Sequence, residues 1–238
     1  MNKLKTFMYG LFLLSSLSLV TPVLANDIYI TQSGDDLDLD ITQDGQNNVA
    51  GTSGTGITLS GDTMTFNIDQ IGNSNVVSAK INGDTYTGNI DLTGNSNNVA
   101  LLCDSTGTAG SGNCETVSMS IDVTGSSATV VVSIGENNDA VNFVGTMDIT
   151  SAADETVTLT VDGKNADADI DITNSNGSVG NTAVYDINDD GDINGHSLTH
   201  SHTGDGGVIN ITQSGLYDNK VQLTTSGDDA EIDITQDD

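Results

Sequence analysis

The sequence predicts an all-β protein: a β-solenoid of stacked strand–turn–strand rungs that is irregular in the middle. Three observations predict this fold. Apolar and polar residues alternate along short stretches, a glycine follows each stretch at a fixed offset, and the combination returns every eleven residues. Strict alternation is typical of half-buried strands, and a fixed period is typical of repeat architectures. One rung cannot bury its own apolar face, whereas a stack of rungs can.

The alternation is clearest in three stretches. Every second residue from Leu37 to Gln43 is apolar or an amide, and the residues between them are Asp or Thr. The same alternation returns at 64–70 and at 230–236. The glycine two residues beyond the last amide position of a stretch is expected to supply the positive φ of a tight turn.

Gln, Gly and Asn recur at fixed offsets, which predicts columns of like side chains on rungs about 4.7–4.8 Å apart. A buried amide is costly unless it is paired, and stacked amides can pair with the rungs above and below. The residues predicted to form these columns are Gln32, Gly34, Gln43, Gly45, Asn48, Gln70, Gly72, Asn75, Gly94, Asn97, Gln213, Gly215 and Gln236.

The pattern Gln-x-Gly-x-x-Asn-x-Ala at Gln43, Gly45, Asn48 and Ala50, preceded by Gln32 eleven residues earlier, resembles the curlin repeat of bacterial curli fibres. The resemblance is clearest over 28–102 and 207–238. It implies a secreted structural subunit of a curli-like amyloid fibre of the cell surface or biofilm matrix. It also implies assembly by edge-to-edge β stacking with copies of itself or related subunits, after passage through an outer-membrane export machinery.

A second interpretation keeps the fold and changes the function. In it the chain is a secreted acidic module, calcium-binding or of the adhesin type, whose solenoid is a scaffold that does not polymerise. Saturable calcium uptake by a monomer favours this interpretation, and cross-β diffraction favours the first.

Residues 1–25 have the layout of a secretory signal peptide. Lys3 and Lys5 form a basic start, an apolar run covers 7–20, and Val23 and Ala25 are small residues at cleavage positions. The apolar run is short for a bilayer anchor. The sequence therefore predicts a secreted protein, extracellular or on the cell surface, with the solenoid at 26–238.

The charge of the chain excludes some partners. The formal net charge is −29, and beyond the predicted signal peptide the basic residues are Lys80, Lys164 and Lys220. Nucleic acid is excluded because phosphate binding depends on Lys and Arg. No later stretch is apolar enough for membrane insertion. Disorder is disfavoured because the apolar residues are β-branched and alternate regularly.

Cys103 and Cys114 enclose a Gly- and Ser-rich stretch. Two cysteines that close a short loop in an exported protein usually form a disulfide, which we predict here.

Residues 186–197 carry the strongest metal-like pattern. Asp186, Asn188, Asp190 and Asp192 occupy positions 1, 3, 5 and 7 of an EF-hand-like calcium loop, but Ser197 replaces the acid at position 12. A solvated turn is the favoured interpretation, and calcium is the alternative; no cofactor is required by the sequence.

His196, His200 and His202 follow directly, and their spacing favours a solvated polar loop over a zinc or copper site. The sequence contains no Gly-x-Ser-x-Gly, phosphate-loop or His-Glu-x-x-His motif. We therefore predict that the protein is not an enzyme and has no catalytic residues.

Overall fold

The structure is a computed structural model that describes residues 26–51, 56–72, 74–103, 114–135, 142–152, 155–163, 166–174, 182–188, 195–215 and 219–237. The predicted signal peptide at 1–25 lies outside these residues. The described part contains strands and turns without a helix. It accordingly holds no helix of the length and apolarity needed to cross a membrane.

Two parallel sheets make up the fold, and the chain passes from one to the other at every corner. Sheet A has eleven strands and sheet B has eight. The strands of sheet A are β1 (Asn26–Ile28), β2 (Thr31–Ser33), β4 (Asn48–Ala50), β5 (Ile57–Ser60), β7 (Val77–Asn82), β9 (Asn97–Cys103), β11 (Ala128–Ile134), β13 (Thr156–Asp162), β15 (Thr182–Asn188), β17 (Val208–Ser214) and β19 (Glu231–Asp237). The strands of sheet B are β3 (Leu37–Gly45), β6 (Thr63–Gly72), β8 (Thr85–Gly94), β10 (Thr116–Gly125), β12 (Asn142–Ser151), β14 (Ala166–Asn174), β16 (Ser197–Thr203) and β18 (Lys220–Ser226).

Each rung is one strand of sheet B followed by a corner and strand segments of sheet A, and every pairing between rungs is parallel. The predicted β-solenoid is therefore confirmed. Two eleven-residue arms make one rung: Asn97 stacks on Asn75, 22 residues earlier.

The core lies between the two sheets and is organised in columns. Inward positions of successive strands pair residue for residue, so like side chains stack along the solenoid axis. One inward column of sheet B contains Ile41, Ile68, Ile90, Ile121, Met147, Ile170, His200 and Leu223.

The irregularity expected in the middle lies in the connections between strands. Stacked partners are 22 residues apart from Asn75 to Asn97, 26 apart from Ser120 to Thr146, and 30 apart from Ala166 to His196. The strands themselves stay in register throughout. Insertions thus change the corners and leave the columns intact.

The corner glycines are required for two different reasons. Gly34 and Gly227 have φ of 141° and 140°, in the region that favours glycine, as expected. Gly72 and Gly94 have no such φ, so the expected reason is wrong for them. At Gly94 a Cβ atom would overlap the carbonyl oxygen of Gly72 and the Oδ1 of Asn75 on the rung before.

Cys103 and Cys114 are joined by a disulfide, and both residues are fully buried. The bridge connects the end of β9 to the residues just before β10, so it anchors a long connection between two rungs.

We expect Gly94→Ala to lower the free energy of unfolding by about 1–3 kcal/mol, because the new methyl group has no space beneath the preceding rung. Thr93→Ala is the matched control, because the Thr93 side chain is exposed and its loss should change stability by less than about 0.5 kcal/mol. Urea denaturation followed by circular dichroism measures both. Equal stability of the two variants would contradict the close approach of the rungs at this corner.

Candidate interaction site at the two open ends

A solenoid has two ends at which the sheets have no further partner strand. The N-terminal end consists of β1, β2 and β3, and the C-terminal end consists of β18 and β19. In the described part of the chain, the outer edge of each end strand faces no further strand, so its main-chain N–H and C=O groups can pair with another chain.

The ends also interrupt the apolar columns. Apart from the buried Ile41, the inward apolar residues of the end strands are half-buried or exposed, whereas those of the inner rungs are almost fully buried. Ile232 and Ile234 on β19 are 43% and 42% exposed. The half-buried members are Ile28, Ile30, Leu37 and Leu39 at the N-terminal end and Val221 and Leu223 at the C-terminal end.

Amide side chains stack near the N-terminal end, as predicted. The Nδ2 of Asn75 donates to the Oδ1 of Asn48 at 3.5 Å, and the Nδ2 of Asn97 donates to the Oδ1 of Asn75 at 3.0 Å. Gln70 donates in the same way to the side-chain oxygen of Gln43. The buried amides of one rung therefore satisfy those of the next.

The amide side chains also form hydrogen bonds within the corner between β3 and β4. The Nδ2 of Asn48 lies 3.1 Å from the carbonyl oxygen of Gln43, and the Nε2 of Gln43 lies 3.1 Å from that of Val49. Gln and Asn at this spacing close the corner from both sides, which explains why they recur together.

The amide columns stop where apolar residues replace the amides. Leu92 follows Gln70 in its column and Ala128 follows Asn97. In the described part of the chain the Oε1 of Gln70 and the Oδ1 of Asn97 are buried without a hydrogen-bond partner. The column of Gln70 is thus apolar on the inner rungs, from Leu92 to Ile172.

One column of sheet A carries glutamine at both of its ends. It begins at Gln32, continues through apolar residues, and finishes at Gln213 and Gln236. The Nε2 of Gln236 donates to the Oε1 of Gln213 at 2.9 Å and to the carbonyl oxygen of Asn219 at 3.1 Å.

The two ends share a sequence motif in the same columns. Ile-x-Ile-Thr-Gln occurs at 28–32 in the first strands of sheet A, at 209–213 in β17, and at 232–236 in β19. The turns beside the two ends are also alike: Asp36 and Asp229, each the last residue of a Ser-Gly-Asp-Asp sequence, have φ of 57° and 60°.

The outward face of sheet B carries a continuous column of acids. We call it the aspartate column; it consists of Asp69, Asp91, Asp122, Asp148 and Asp171 on five successive strands. Partial burial and then the neighbouring carboxylates raise the pKa of Asp91 and of Asp122 above the ordinary value. The ionised column therefore repels itself.

A second acidic row follows the corner before sheet B. Repulsion by Asp35 and then Asp84, with smaller effects of burial and of Asp36, raises the pKa of Asp62. Among the described residues, no three His, Cys, Asp or Glu side chains are placed to hold one metal ion.

Only part of the calcium-like sequence is described. Asp186 and Asn188 lie two residues apart on the outward side of the extended strand β15, and the Oδ1 of Asn188 accepts a hydrogen bond of 2.9 Å from Ser214. Asp190 and Asp192 lie outside the described residues, so calcium binding here stays a prediction.

The prediction that the histidines occupy a solvated loop is wrong. His196, His200 and His202 are 1%, 0% and 2% exposed and point into the core from β16 and the residue before it. The outward residues Thr199, Ser201 and Thr203 alternate with them, and this alternation was the signal that places the histidines inside.

Comparisons of this chain with models of known protein families, with curated proteins and with solved structures found no match.

We expect Asp122→Asn to stabilise the protein at low salt, because it removes repulsion from acids on both neighbouring rungs. Two unit charges about 5 Å apart in water repel by about 1 kcal/mol, and about 1 M salt screens most of this. Thermal unfolding in low and in high salt measures the effect. Asp233→Asn is the matched control, because Asp233 has Asn210 as its neighbour on the preceding rung. A gain at Asp122 that persists in high salt would exclude repulsion as its cause.

The raised pKa values of these carboxyl groups also make the stability of the fold depend on pH. A carboxyl whose pKa is higher in the folded state than in the unfolded state binds its proton more tightly when folded. The contribution of Asp62, Asp91 and Asp122 to stability is therefore expected to grow as the pH falls through their folded pKa values.

Proposed function

We propose that this protein is a secreted structural subunit of a curli-like amyloid fibre, in which the C-terminal end of one copy stacks on the N-terminal end of the next. The observation that carries the proposal is the Ile-x-Ile-Thr-Gln motif, which occupies the same columns of sheet A at both ends. The curlin resemblance supports the fibre, the cell-surface or matrix location and export through the outer membrane.

A single register continues the columns of sheet A across the joint. In it Ile232 lies beside Ile28 of the next copy, Ile234 beside Ile30, and Gln236 beside Gln32. The apolar side chains left half-buried or exposed in one copy would then be covered, at about 25 cal/mol for each Å² removed from water. The amide of Gln32 would extend the Gln213–Gln236 pair by one rung.

Sheet B fits the same register. Val221 and Leu223 share columns with Leu39 and Ile41, so apolar residues again meet apolar residues. The column of Asp38 ends at Lys220, which places one of the few basic residues against an acid of the next copy. This pair favours head-to-tail contact over contact between like ends.

Repulsion between copies opposes this assembly. Subunits stacked head to tail bring their acidic outer faces close together, and exposed charges interact over about 10 Å at 0.1 M salt. Salt, divalent cations and mild acid all reduce this repulsion, and acid does so early for carboxyls whose pKa is raised. The rate of assembly is therefore expected to depend on salt and pH as well as on the complementary ends.

We expect the purified chain 26–238 to form fibres that bind thioflavin and give a meridional reflection near 4.7–4.8 Å. Elongation should be several-fold faster in about 1 M than in about 0.01 M salt, because the screening length falls from about 30 Å to about 3 Å. Electron microscopy and thioflavin fluorescence measure both. Monomers under every condition, with saturable calcium uptake, would instead support the acidic calcium-binding or adhesin-type module, which the aspartate column favours.

The charge pair at the joint gives a sharper test. We expect Lys220→Asp to slow elongation at least fivefold, because repulsion of about 1 kcal/mol from Asp38 is added to the loss of the attraction at the joint. Adding Asp38→Lys to the same chain should restore the rate, since the pair is then reversed. Lys80→Asp is the control: it makes the same charge change on β7, inside the stack. If Lys80→Asp slows elongation as much as Lys220→Asp, net charge and not the joint is responsible.

A further inference from the structure

All three histidines of the chain lie on a single rung next to the C-terminal end. The sequence contains three histidines, and His196, His200 and His202 are each at most 2% exposed. The outermost strands β18 and β19 stack directly on this rung, on β16 and β17. We call it the histidine rung.

His200 and His202 take positions that are apolar on the preceding rung. His200 is stacked between Ile170 and Leu223, and His202 follows Ile172 in its column. At five other strands the column of His200 holds isoleucine. An imidazole in such a column is compatible with the core only while it is neutral.

The hydrogen bonds of His200 suit a neutral ring. Its Nδ1 lies 3.1 Å from the hydroxyl oxygen of Tyr185 and 3.2 Å from the carbonyl oxygen of Ile170. Its Nε2 is buried without a hydrogen-bond partner in the described part of the chain. A protonated ring has two N–H donors, so at Nε2 one of them would have no acceptor.

No described carboxylate points at the ring from the strands packed around it. On β15 the side chain of Tyr185 faces it, with ring centroids 5.3 Å apart, and on β16 the ring of His202 lies 6.2 Å away. Ile170 of β14, Leu223 of β18 and the inward residues of β17 are uncharged.

The charged groups of these strands lie on their outer sides. They are Asp167, Asp169 and Asp171 on β14, Asp186 on β15 and Lys220 on β18. The buried Glu155 precedes β13, two rungs away from the histidine rung. A positive charge on His200 would therefore stay uncompensated.

Burial and then the adjacent His202 lower the pKa of His200 to about 4, against a smaller opposite effect of the Ile170 carbonyl. Burial also lowers the pKa of His202. Histidine in an unfolded chain has a pKa near 6.5. The contribution of these residues to stability is thus complete above about pH 6.5 and is lost as the pH falls toward 4.

We propose that protonation of His200 and His202 opens the histidine rung and the two strands beyond it, so that the C-terminal end of the solenoid is present at neutral pH and absent in acid. Local opening is feasible because each rung contacts its neighbours alone. The inner rungs contain no histidine and stay closed. The proposal concerns the isolated chain and does not require assembly.

One consequence rests on the proposed fibre function. Acid relieves repulsion between carboxylates and also removes the C-terminal end that the next copy would bind. Elongation should therefore pass through a maximum at mildly acidic pH and decline below it.

Hydrogen exchange of the dilute, monomeric chain at pH 7 and pH 5, corrected for intrinsic rates, tests the proposal. Between these values each histidine with the pKa change described for His200 should raise the opening constant of β16–β19 about twentyfold. The amides of β8–β12 should change far less. An equal change in both regions would overturn the proposal.

Variants separate the imidazoles from the other groups. His200→Ile with His202→Ile restores the residues of the preceding rung and should abolish the difference between β16–β19 and β8–β12. Tyr86→Phe removes a buried hydroxyl on β8, far from both imidazoles, and its pH dependence should match that of the unaltered chain. If the double variant still exchanged faster at pH 5 than at pH 7 in β16–β19 alone, the histidines would have no role in the opening.

The unaltered chain provides a second measurement if the double variant does not fold. The NMR chemical shifts of the imidazole carbons report the protonation of each ring in the folded state. The folded-state pKa of His200 is expected to be about 4, and that of His202 to lie below the ordinary value of about 6.5. Ordinary pKa values for both rings in the folded chain would overturn the proposal whatever the fibres do.

Discussion

Parallel stacking of rungs in register is the constraint on which the other features of this structure depend. Because each residue pairs with its counterpart one rung away, a side chain is surrounded by side chains of its own column. Isoleucine columns give a dry core, and Asn48, Asn75 and Asn97 satisfy one another. Gly94 must lack a side chain because the preceding rung already occupies the space. The same rule stacks acids on the outer face, where it costs stability.

Stacking in columns leaves the outermost strands without a neighbour on one side, so the apolar residues at the two ends of the solenoid are incompletely buried. The inner rungs are closed by their neighbours, whereas β19 leaves Ile232 and Ile234 more than 40% exposed. The N-terminal end carries the same residues in the same columns, so a second copy of the chain can continue the columns that end at β19. This match is the basis of the proposed fibre. In the proposed fibre, two electrostatic effects would act on the contact between copies: carboxylates oppose it, and buried imidazoles make the C-terminal rungs sensitive to acid.

The sequence predicted the fold because the solenoid is a local rule repeated many times. The spacing of Gln43 and Asn48 carries both the strand alternation and the corner, and neither requires knowledge of distant residues. The reason for Gly94 lies in a contact with the preceding rung, which no local pattern contains. The burial of His200 was missed because its residue type suggested solvent, although Thr199 and Ser201 marked the outer face. The proposed pairing of Asp38 with Lys220 of another copy could be derived only from the register of every rung between them.

Nuclear Overhauser contacts between isoleucine methyl groups in one column test the register most directly. In the monomeric chain labelled at isoleucine methyls, Ile90 should contact Ile68 and Ile121, which are its neighbours on the adjacent rungs. Ile68 and Ile121 should show no contact with each other, because one rung lies between them. Helical chemical shifts, or contacts that pair Ile68 directly with Ile121, would contradict the stacking from which the ends, the acid columns and the histidine rung are all derived.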